Sequence, residues 1–161
     1  MQAGIALGSN LGESKNILMW SIERLKKLHR GSLEKFLLSS FYQTTPLDCP
    51  PGSPLFLNAV LQLETDLAAE ELLLFLQKLE EESGRPSSHA YHAPRTLDLD
   101  LLYYGSMELV TEKLELPHPR IRQRLFVLKP LVEIHPHLIL PGWSSSAYSY
   151  LLLLEKQYGY E

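Results

Sequence analysis

Two aspartates separated by a single residue, Asp98 and Asp100, are the side chains in this sequence best suited to chemistry. They stand in the run RTLDLDLLYY at residues 95–104, whose alternation of apolar and polar residues predicts a β-strand. Both carboxylates then project from the same face of the strand, about 6–7 Å apart, and the leucines project from the other face. Carboxylates at that spacing repel, so a shared divalent cation such as Mg²⁺ is one interpretation. The alternative is an edge strand with a solvated polar face, which the Asp-x-Asp pattern alone favours.

Basic side chains surround this strand in the sequence. They are Arg85, Arg95, Lys113, His118, Arg120, Arg122 and Arg124. Carboxylates that hold Mg²⁺ and are flanked by fixed cations meet the needs of phosphoryl transfer. A single arginine is more often a solvated surface residue, and Arg120 and Arg122, two apart in a turn, are not expected to share a site. Arg95 and Arg124 are therefore the stronger candidates.

An aromatic slot is the second candidate feature. Phe56 and Asn58 share one face of a predicted strand, and Phe126 follows Arg124 closely. Two rings can stack on a flat heterocycle while an amide hydrogen-bonds its edge. The alternative is that both phenylalanines are ordinary core residues.

The elements that must position these residues follow from hydrophobic periodicity and turn residues. The predicted strands cover 2–7, 33–43, 55–65 and 96–104, with a hairpin partner over 108–116. Helices are predicted over 15–29, 68–82 and 122–132, followed by a mostly irregular tail. The segments 44–54 and 85–94 are loops, either lids or surface connections. This order predicts an α+β sandwich with a mainly antiparallel sheet and helices on its faces.

Composition narrows the class of protein. A length of 161 residues favours one domain over 1–161, and a net charge of -4 without long runs of one sign argues against nucleic-acid binding. The apolar runs are too short to span a bilayer. The single cysteine, Cys49, excludes an internal disulfide, and the N-terminus shows no signal peptide. We expect a cytoplasmic protein that does not bind membranes.

Seven segments, taken in order, resemble the 6-hydroxymethyl-7,8-dihydropterin pyrophosphokinase family. They are GSNLG at 8–12, SSFYQT at 39–44, FLNA at 56–59, GR at 84–85, PRTLDLD at 94–100, LPHP at 116–119 and RLFVL at 124–128. The PRTLDLD segment is highly specific for this family, whereas the others are weak alone. The resemblance extends, in order, over nearly the whole chain.

The resemblance implies a ferredoxin-like fold, a monomer, and transfer of diphosphate from ATP to the pterin hydroxymethyl group with release of AMP. It implies that Asp98 and Asp100 hold two Mg²⁺ ions and that Arg95 also serves catalysis. The implied pterin contacts are Thr44, Thr45, Leu47, Phe56, Asn58 and Phe126. The implied ATP contacts are Gln77, Arg95, Leu101, Lys113, His118 and Arg124. Loop residues with an implied organising role are Glu80, Arg85 and His92.

The sequence departs from the family pattern at two places. Position 56 is often tyrosine in the family, and His92-Ala93 stands where many bacterial members carry Trp-Gly. The 85–94 loop is also poor in charge, which argues against its acting as a lid. Two other classes remain as alternatives: a ligand-binding module of the same fold without catalysis, and an RNA-binding module, which would need a basic face with exposed aromatics.

Overall fold

A five-stranded antiparallel sheet forms the centre of the fold. The structure is a computed structural model, and it describes residues 1–10, 13–44, 56–83 and 97–158. The helices are Ser14–Lys26 (α1), Ala69–Glu82 (α2), Leu125–Ile134 (α3) and Ala147–Gln157 (α4). The strands are Gln2–Ser9 (β1), Leu37–Leu38 (β2), Tyr42–Thr44 (β3), Phe56–Glu64 (β4), Asp98–Tyr104 (β5), Leu109–Val110 (β6) and Glu115–Leu116 (β7). The sheet order is β2-β4-β1-β5, with β3 also paired to β4.

Helices cover both faces of the sheet. On one face, side chains such as Ile5 and Leu61 pack with the buried residues of α1 and α2. On the other face, Val60 and Leu102 pack with α3 and α4. Neighbouring strand residues point to opposite sides, so Val60 and Leu61 belong to different cores although they are adjacent. The predicted α+β sandwich with a mainly antiparallel sheet and helices on its faces is confirmed.

The register of β1 against β5 shifts by one residue. Gly4 pairs with Tyr103 whereas Ile5 pairs with Leu101, so Leu102 has no direct partner in β1. Leu102 and Tyr103 consequently both join the core under α3 and α4. Such a bulge changes the alternation of side chains along a strand. It restricts the regular acid-leucine alternation to the first half of β5.

Glycine at position 4 is required by the ring of Tyr103. A β-carbon at Gly4 would overlap that ring, which is buried and donates a hydrogen bond to Gln62. We expect Gly4→Ala to lower the free energy of unfolding by about 1–3 kcal/mol, because an overpacked core must shift to admit the methyl group. Thermal unfolding measures this loss. Gly8→Ala is the control, since its β-carbon approaches Asn58 only to 3.1 Å. An equal or larger loss of stability in Gly8→Ala would contradict the argument.

The segment predicted as one strand over 33–43 is interrupted. Leu33–Lys35 forms a 3₁₀ turn, and the short strands β2 and β3 both pair with β4. Between them, the Ser39 hydroxyl accepts a hydrogen bond from the Val60 N–H at 3.0 Å. The Ser39 N–H donates to the Val60 carbonyl at 2.9 Å. A side-chain oxygen thus replaces a backbone partner at this point, which a period-two pattern does not reveal.

Helix α4 lies in the tail that was predicted to be mostly irregular. The Ser146 hydroxyl caps it by accepting a hydrogen bond from a backbone N–H of the first turn. The helix buries Leu151 and Leu154 but exposes Leu152 and Leu153. A run of four leucines hides the helical period in the sequence, and only packing against α3 separates the two pairs.

The segment 108–116 was predicted as the hairpin partner of the strand over 96–104, and this prediction was wrong. Strands β6 and β7 pair with each other as a separate two-stranded sheet rather than extending β5. The predicted helices over 15–29, 68–82 and 122–132 correspond to α1, α2 and α3. Helix α1 begins at Ser14, with Glu13 rather than Ser14 at the N-cap position. In the parts of the chain that the structure describes, no helix is long and apolar enough to cross a membrane.

Candidate active site

Asp98 and Asp100 lie on the face of the sheet that α3 covers. Asp98 pairs with Gly8 and Asp100 with Ala6 of the central strand β1. Leu99, between the two acids, is buried in the core on the opposite face, as the alternation predicts. The side chain of Asp100 is 41% exposed. Both carboxylates therefore stand at a sheet surface that a ligand can reach.

Small residues in β1 leave space beside the acid pair. Gly8 lies between Asn58 of β4 and Asp98 of β5, and Ala6 lies beside Asp100. A β-carbon at Gly8 would come within 3.1 Å of the Asn58 Oδ1. Because a larger side chain would press on this amide, glycine keeps the sheet surface open between the amide and the acids.

Arg124 connects the acid pair to an exposed aromatic ring. Its Nη1 lies 3.9 Å from the Asp100 Oδ2, and its Cζ lies 5.6 Å from the centre of the Phe126 ring. Phe126 is 40% exposed, which is unusual for a large apolar side chain at the first turn of a packed helix. An exposed ring beside a cation can bind a flat group and an anion at neighbouring positions.

Of the other two arginines in this segment, Arg122 faces away from the acid pair. Arg122 lies over the rings of Tyr150 and Trp143, with its Cζ at 5.2 and 5.9 Å from their centres. Arg120 is exposed at the turn before it. The expectation that Arg120 and Arg122 would not both face the site therefore agrees with the geometry, and Arg124 is the arginine beside Asp100.

His118 is half-buried close to the acid pair. Burial is the main cause that lowers its pKa, and Arg124 and Arg120 act in the same direction, whereas Asp100 opposes them. The backbone N–H of Arg120 donates to the His118 Nδ1 at 3.1 Å. A neutral ring whose Nδ1 accepts must carry its proton on Nε2. His118 can therefore donate a hydrogen bond from Nε2 to an anionic oxygen.

Helix α2 braces the outer edge of β5. The Glu80 Oε2 accepts a hydrogen bond from the N–H of Leu99 at 2.9 Å, directly between the two aspartates. Gln77, three residues earlier in α2, is exposed, and Lys113 is exposed in the turn between β6 and β7. The side chain of Leu101 is buried in the core, so its backbone is the part that a ligand can meet.

The two predicted aromatic residues lie on elements that pack together. Phe56 and Asn58 begin β4, and Phe126 lies in the first turn of α3, which packs against β4. Asn58 is buried, and Phe56 pairs with Thr44 at the end of β3. Five predicted site residues lie outside the described residues and remain predictions: Thr45, Leu47, Arg85, His92 and Arg95.

A carboxylate that the sequence analysis missed lies near this region. Glu133 of α3 accepts hydrogen bonds from the Tyr42 hydroxyl at 2.7 Å and from Ser40. These partners are more than 90 positions apart in the chain. No local pattern marks Glu133 as different from any other exposed glutamate, so only the tertiary structure identifies it.

The acid pair has the donor chemistry of a magnesium site. Within the described ranges, no group of three or more His, Cys, Asp or Glu side chains could hold a metal ion. Mg²⁺ is usually bound through one or two carboxylates together with substrate phosphates and water. Asp98 and Asp100 fit that arrangement, in which the ligand completes the coordination, better than a closed metal cage.

Open carboxylates, a guanidinium and a donor histidine on one sheet face are the parts that phosphoryl-transfer proteins use to hold a polyphosphate. The fold and site are therefore those of an α+β protein suited to holding phosphates beside a flat ring. The model of the 7,8-dihydro-6-hydroxymethylpterin-pyrophosphokinase (HPPK) family matches residues 4–136. The chain belongs to that family, which confirms the resemblance predicted from the sequence.

Two proteins of similar sequence show how much of the chain shares this likeness. The 2-amino-4-hydroxy-6-hydroxymethyldihydropteridine pyrophosphokinase of Haemophilus influenzae is 40% identical over 140 residues, 87% of this chain and 85% of the relative. The folate synthesis bifunctional protein of Arabidopsis thaliana is 42% identical over 130 residues, 81% of this chain. This chain covers only 26% of that longer relative. It therefore spans about a quarter of the bifunctional protein and most of the bacterial enzyme.

Solved structures support the fold. The structure of Plasmodium falciparum HPPK-DHPS with pteroate superposes with a TM-score of 0.71, covering 98% of this chain and 46% of the other. The sequence identity is 13%, so this likeness concerns architecture alone. It agrees with the predicted ferredoxin-like sandwich.

Proposed function

We propose that this chain transfers a diphosphate group from ATP to the hydroxymethyl group of 6-hydroxymethyl-7,8-dihydropterin, releasing AMP, as a step of folate biosynthesis. The observation that carries this proposal is the pair Asp98 and Asp100 beside Arg124 on an open sheet face. Membership of the HPPK family supports the choice of substrates. The relatives named for this activity or for folate synthesis support it as well.

Asp98 and Asp100 would hold two Mg²⁺ ions together with the phosphates of ATP. Their partly exposed carboxylates, which project from one face of β5, support this assignment. Mg²⁺ held there would supply positive charge that stabilises the entering and leaving oxygens. The Glu80 carboxylate supports the strand by holding the Leu99 N–H between the two ligands.

Arg124 and His118 contact the triphosphate of ATP in this proposal, together with Arg95. The guanidinium of Arg124 offers charged donors and the His118 Nε2 offers a neutral one. The nucleotide also lies close to Gln77, Lys113 and the backbone of Leu101. The roles of Arg85 and His92, which lie outside the described residues, stay predictions.

The pterin stacks between Phe56 and Phe126. Its edge is hydrogen-bonded by Asn58 and by backbone groups of the segment that contains Thr44, Thr45 and Leu47. The exposure of Phe126 and the lack of a side chain at Gly8 beside Asn58 support this placement. A ring bound there lies next to Arg124 and hence next to the phosphates.

The transfer is an in-line displacement at the β-phosphorus of ATP. The pterin hydroxyl oxygen bonds to that phosphorus, the bond to the oxygen shared with the α-phosphate breaks, and AMP leaves with that oxygen. The hydroxyl proton passes to solvent. His118 is a donor rather than the base, because the Arg120 N–H already occupies its Nδ1. Catalysis then comes from positioning and charge stabilisation.

AMP formation tests the proposed function directly. The purified chain is incubated with ATP and Mg²⁺, with and without 6-hydroxymethyl-7,8-dihydropterin, and nucleotides are separated by chromatography. We expect AMP in amounts equal to the diphosphorylated pterin, and only when the pterin is present. Binding of ATP and pterin without AMP would instead support the non-catalytic binding module.

We also propose a monomer that acts in the cytoplasm. Asp98, Asp100 and Arg124 come from one chain and lie together on one sheet face. A mass measured by light scattering near 18.4 kDa would agree with a monomer.

Removing the Phe126 ring tests the pterin slot. We expect Phe126→Ala to weaken pterin binding by about tenfold to a hundredfold, because stacking on an aromatic side chain is worth about 1–3 kcal/mol. The ring is exposed, so the melting temperature should change little. Fluorescence titration with the pterin measures the effect. Phe126→Tyr keeps the stacking surface and should bind normally; equal weakening in both variants would contradict stacking.

A further inference from the structure

Glu133 forms an unusually complete set of hydrogen bonds for an exposed carboxylate. Its Oε1 accepts from the Tyr42 hydroxyl at 2.7 Å and from the Ser40 N–H at 3.0 Å. Its Oε2 accepts from the Ser40 hydroxyl at 2.8 Å and from the same N–H at 3.1 Å. Both oxygens therefore accept hydrogen bonds from the short segment that leads into β3.

The protonation states of Glu133 and Tyr42 at neutral pH favour the hydrogen bond between them. Burial alone would raise the pKa of Glu133, but the hydrogen bonds from Tyr42 and Ser40 outweigh it and leave the pKa lowered. Burial, followed by the hydrogen bond to Glu133, raises the pKa of Tyr42 to about 12. The carboxylate stays charged and the phenol keeps its proton, so the contact is a charge-assisted hydrogen bond.

The contact joins the two elements that carry the proposed pterin slot. Helix α3 bears Glu133 near its C-terminal end and Phe126 in its first turn. Strand β3 pairs with the beginning of β4, where Tyr42 lies opposite Asn58 and Thr44 lies opposite Phe56. Strand β3 has three residues and pairs with β4 alone among the described strands. Glu133 therefore adds a direct link between β3 and α3 to the packing of β4 on α3.

We propose that Glu133 is a positioning residue that sets the separation between the two walls of the pterin slot, Phe56 with Asn58 on one side and Phe126 on the other. This inference rests on the proposed function. Glu133 touches neither substrate. It acts through Tyr42 and Ser40, which hold the start of β4 at a defined distance from α3.

Substrate binding to the full chain tests this role. Glu133→Ala, Glu133→Gln and Tyr42→Phe are compared with Glu23→Gln, a control in which an exposed glutamate of α1 is changed. The dissociation constant of 6-hydroxymethyl-7,8-dihydropterin is measured with saturating Mg²⁺ and a non-hydrolysable ATP analogue. The constant of the analogue itself is measured separately, as are the KM values and kcat.

We expect Glu133→Ala to raise the pterin Kd and the pterin KM by about tenfold, since hydrogen bonds to a charged group are lost. Glu133→Gln and Tyr42→Phe should give smaller increases because each keeps part of the network. The Kd of the ATP analogue should stay within about twofold of wild type, since Arg124 and the aspartates are unaltered. The Glu23→Gln variant should match wild type throughout.

Amide hydrogen exchange separates positioning from general destabilisation. In Glu133→Gln we expect faster exchange at Ser40, whose N–H loses its charged acceptor, with unchanged protection in the centre of β1. An unchanged pterin Kd would overturn the inference, and so would an equal increase for pterin and ATP analogue. A wild-type chain that binds ATP but neither binds nor diphosphorylates the pterin would overturn the proposed function, and the inference with it.

Discussion

Asp98→Asn and Asp100→Asn are each expected to lower kcat/KM for AMP formation about a thousandfold. In the proposed mechanism, each carboxylate supplies negative charge for metal ions that would stabilise the transition state by several kcal/mol, and about 1.4 kcal/mol corresponds to a factor of ten. Asparagine keeps the size of the side chain and a carbonyl oxygen but removes the charge. The strand should therefore fold as before while the bond to Mg²⁺ weakens.

The dependence of rate on Mg²⁺ concentration distinguishes this explanation from simple damage to the strand. In both variants we expect the Mg²⁺ concentration for half-maximal rate to rise, with a melting temperature close to wild type. Asp66→Asn is the matched control, since Asp66 is a surface residue whose side chain is 85% exposed and pairs only loosely with Arg30 at 3.8 Å. Full activity in both site variants would show that the acid pair does not hold the metal.

Arg124→Ala is expected to lower kcat/KM about a hundredfold, because removing one preorganised donor to a developing charge typically costs a factor of 10²–10³. Steady-state rates at varied ATP and fixed pterin measure this loss. Arg122→Ala should retain wild-type activity, since the Arg122 guanidinium lies over Tyr150 and Trp143 rather than near the acid pair.

The stability of these two variants should be similar. The pair of Arg124 with Asp100 is partly exposed and 3.9 Å long, and exposed ion pairs contribute only about 0–1 kcal/mol. A large drop in melting temperature for Arg124→Ala would mean that its role is structural. Equal loss of activity in Arg122→Ala and Arg124→Ala would mean that general positive charge, rather than the position beside Asp100, matters.

Much of the fold follows from local patterns in the sequence. Alternation identified β4 and β5, helical periodicity identified α1 and α2, and the same alternation placed Asp98 and Asp100 on one face. The predictions that were wrong concern the segment 33–43, the hairpin over 108–116 and the tail with α4. In the first and last of these, a contact with another element decides the conformation, because the Ser39 hydroxyl bonds the Val60 N–H and α4 packs on α3.

The candidate site also has residues that the sequence predicted correctly and residues whose roles stay predictions. The residue types beside Asp100 were predictable, including the preference for Arg124 over Arg120 and Arg122, because strand geometry and turn spacing limit which side chains can face one place. The implied roles of Thr45, Leu47, Arg85, His92 and Arg95 stay predictions, since these residues lie outside the described part of the chain.

By itself, the sequence determined the class of fold, the acid pair and its common face, since the periods of strands and helices are local properties of the chain. Only the tertiary structure decided that the His118 Nδ1 is occupied, that Glu80 holds the strand between the acids, and that Glu133 joins α3 to β3. These contacts depend on side-chain directions and packing, and the partners of Glu133 are 91 to 93 positions away from it in the chain. No local pattern records a contact across that separation.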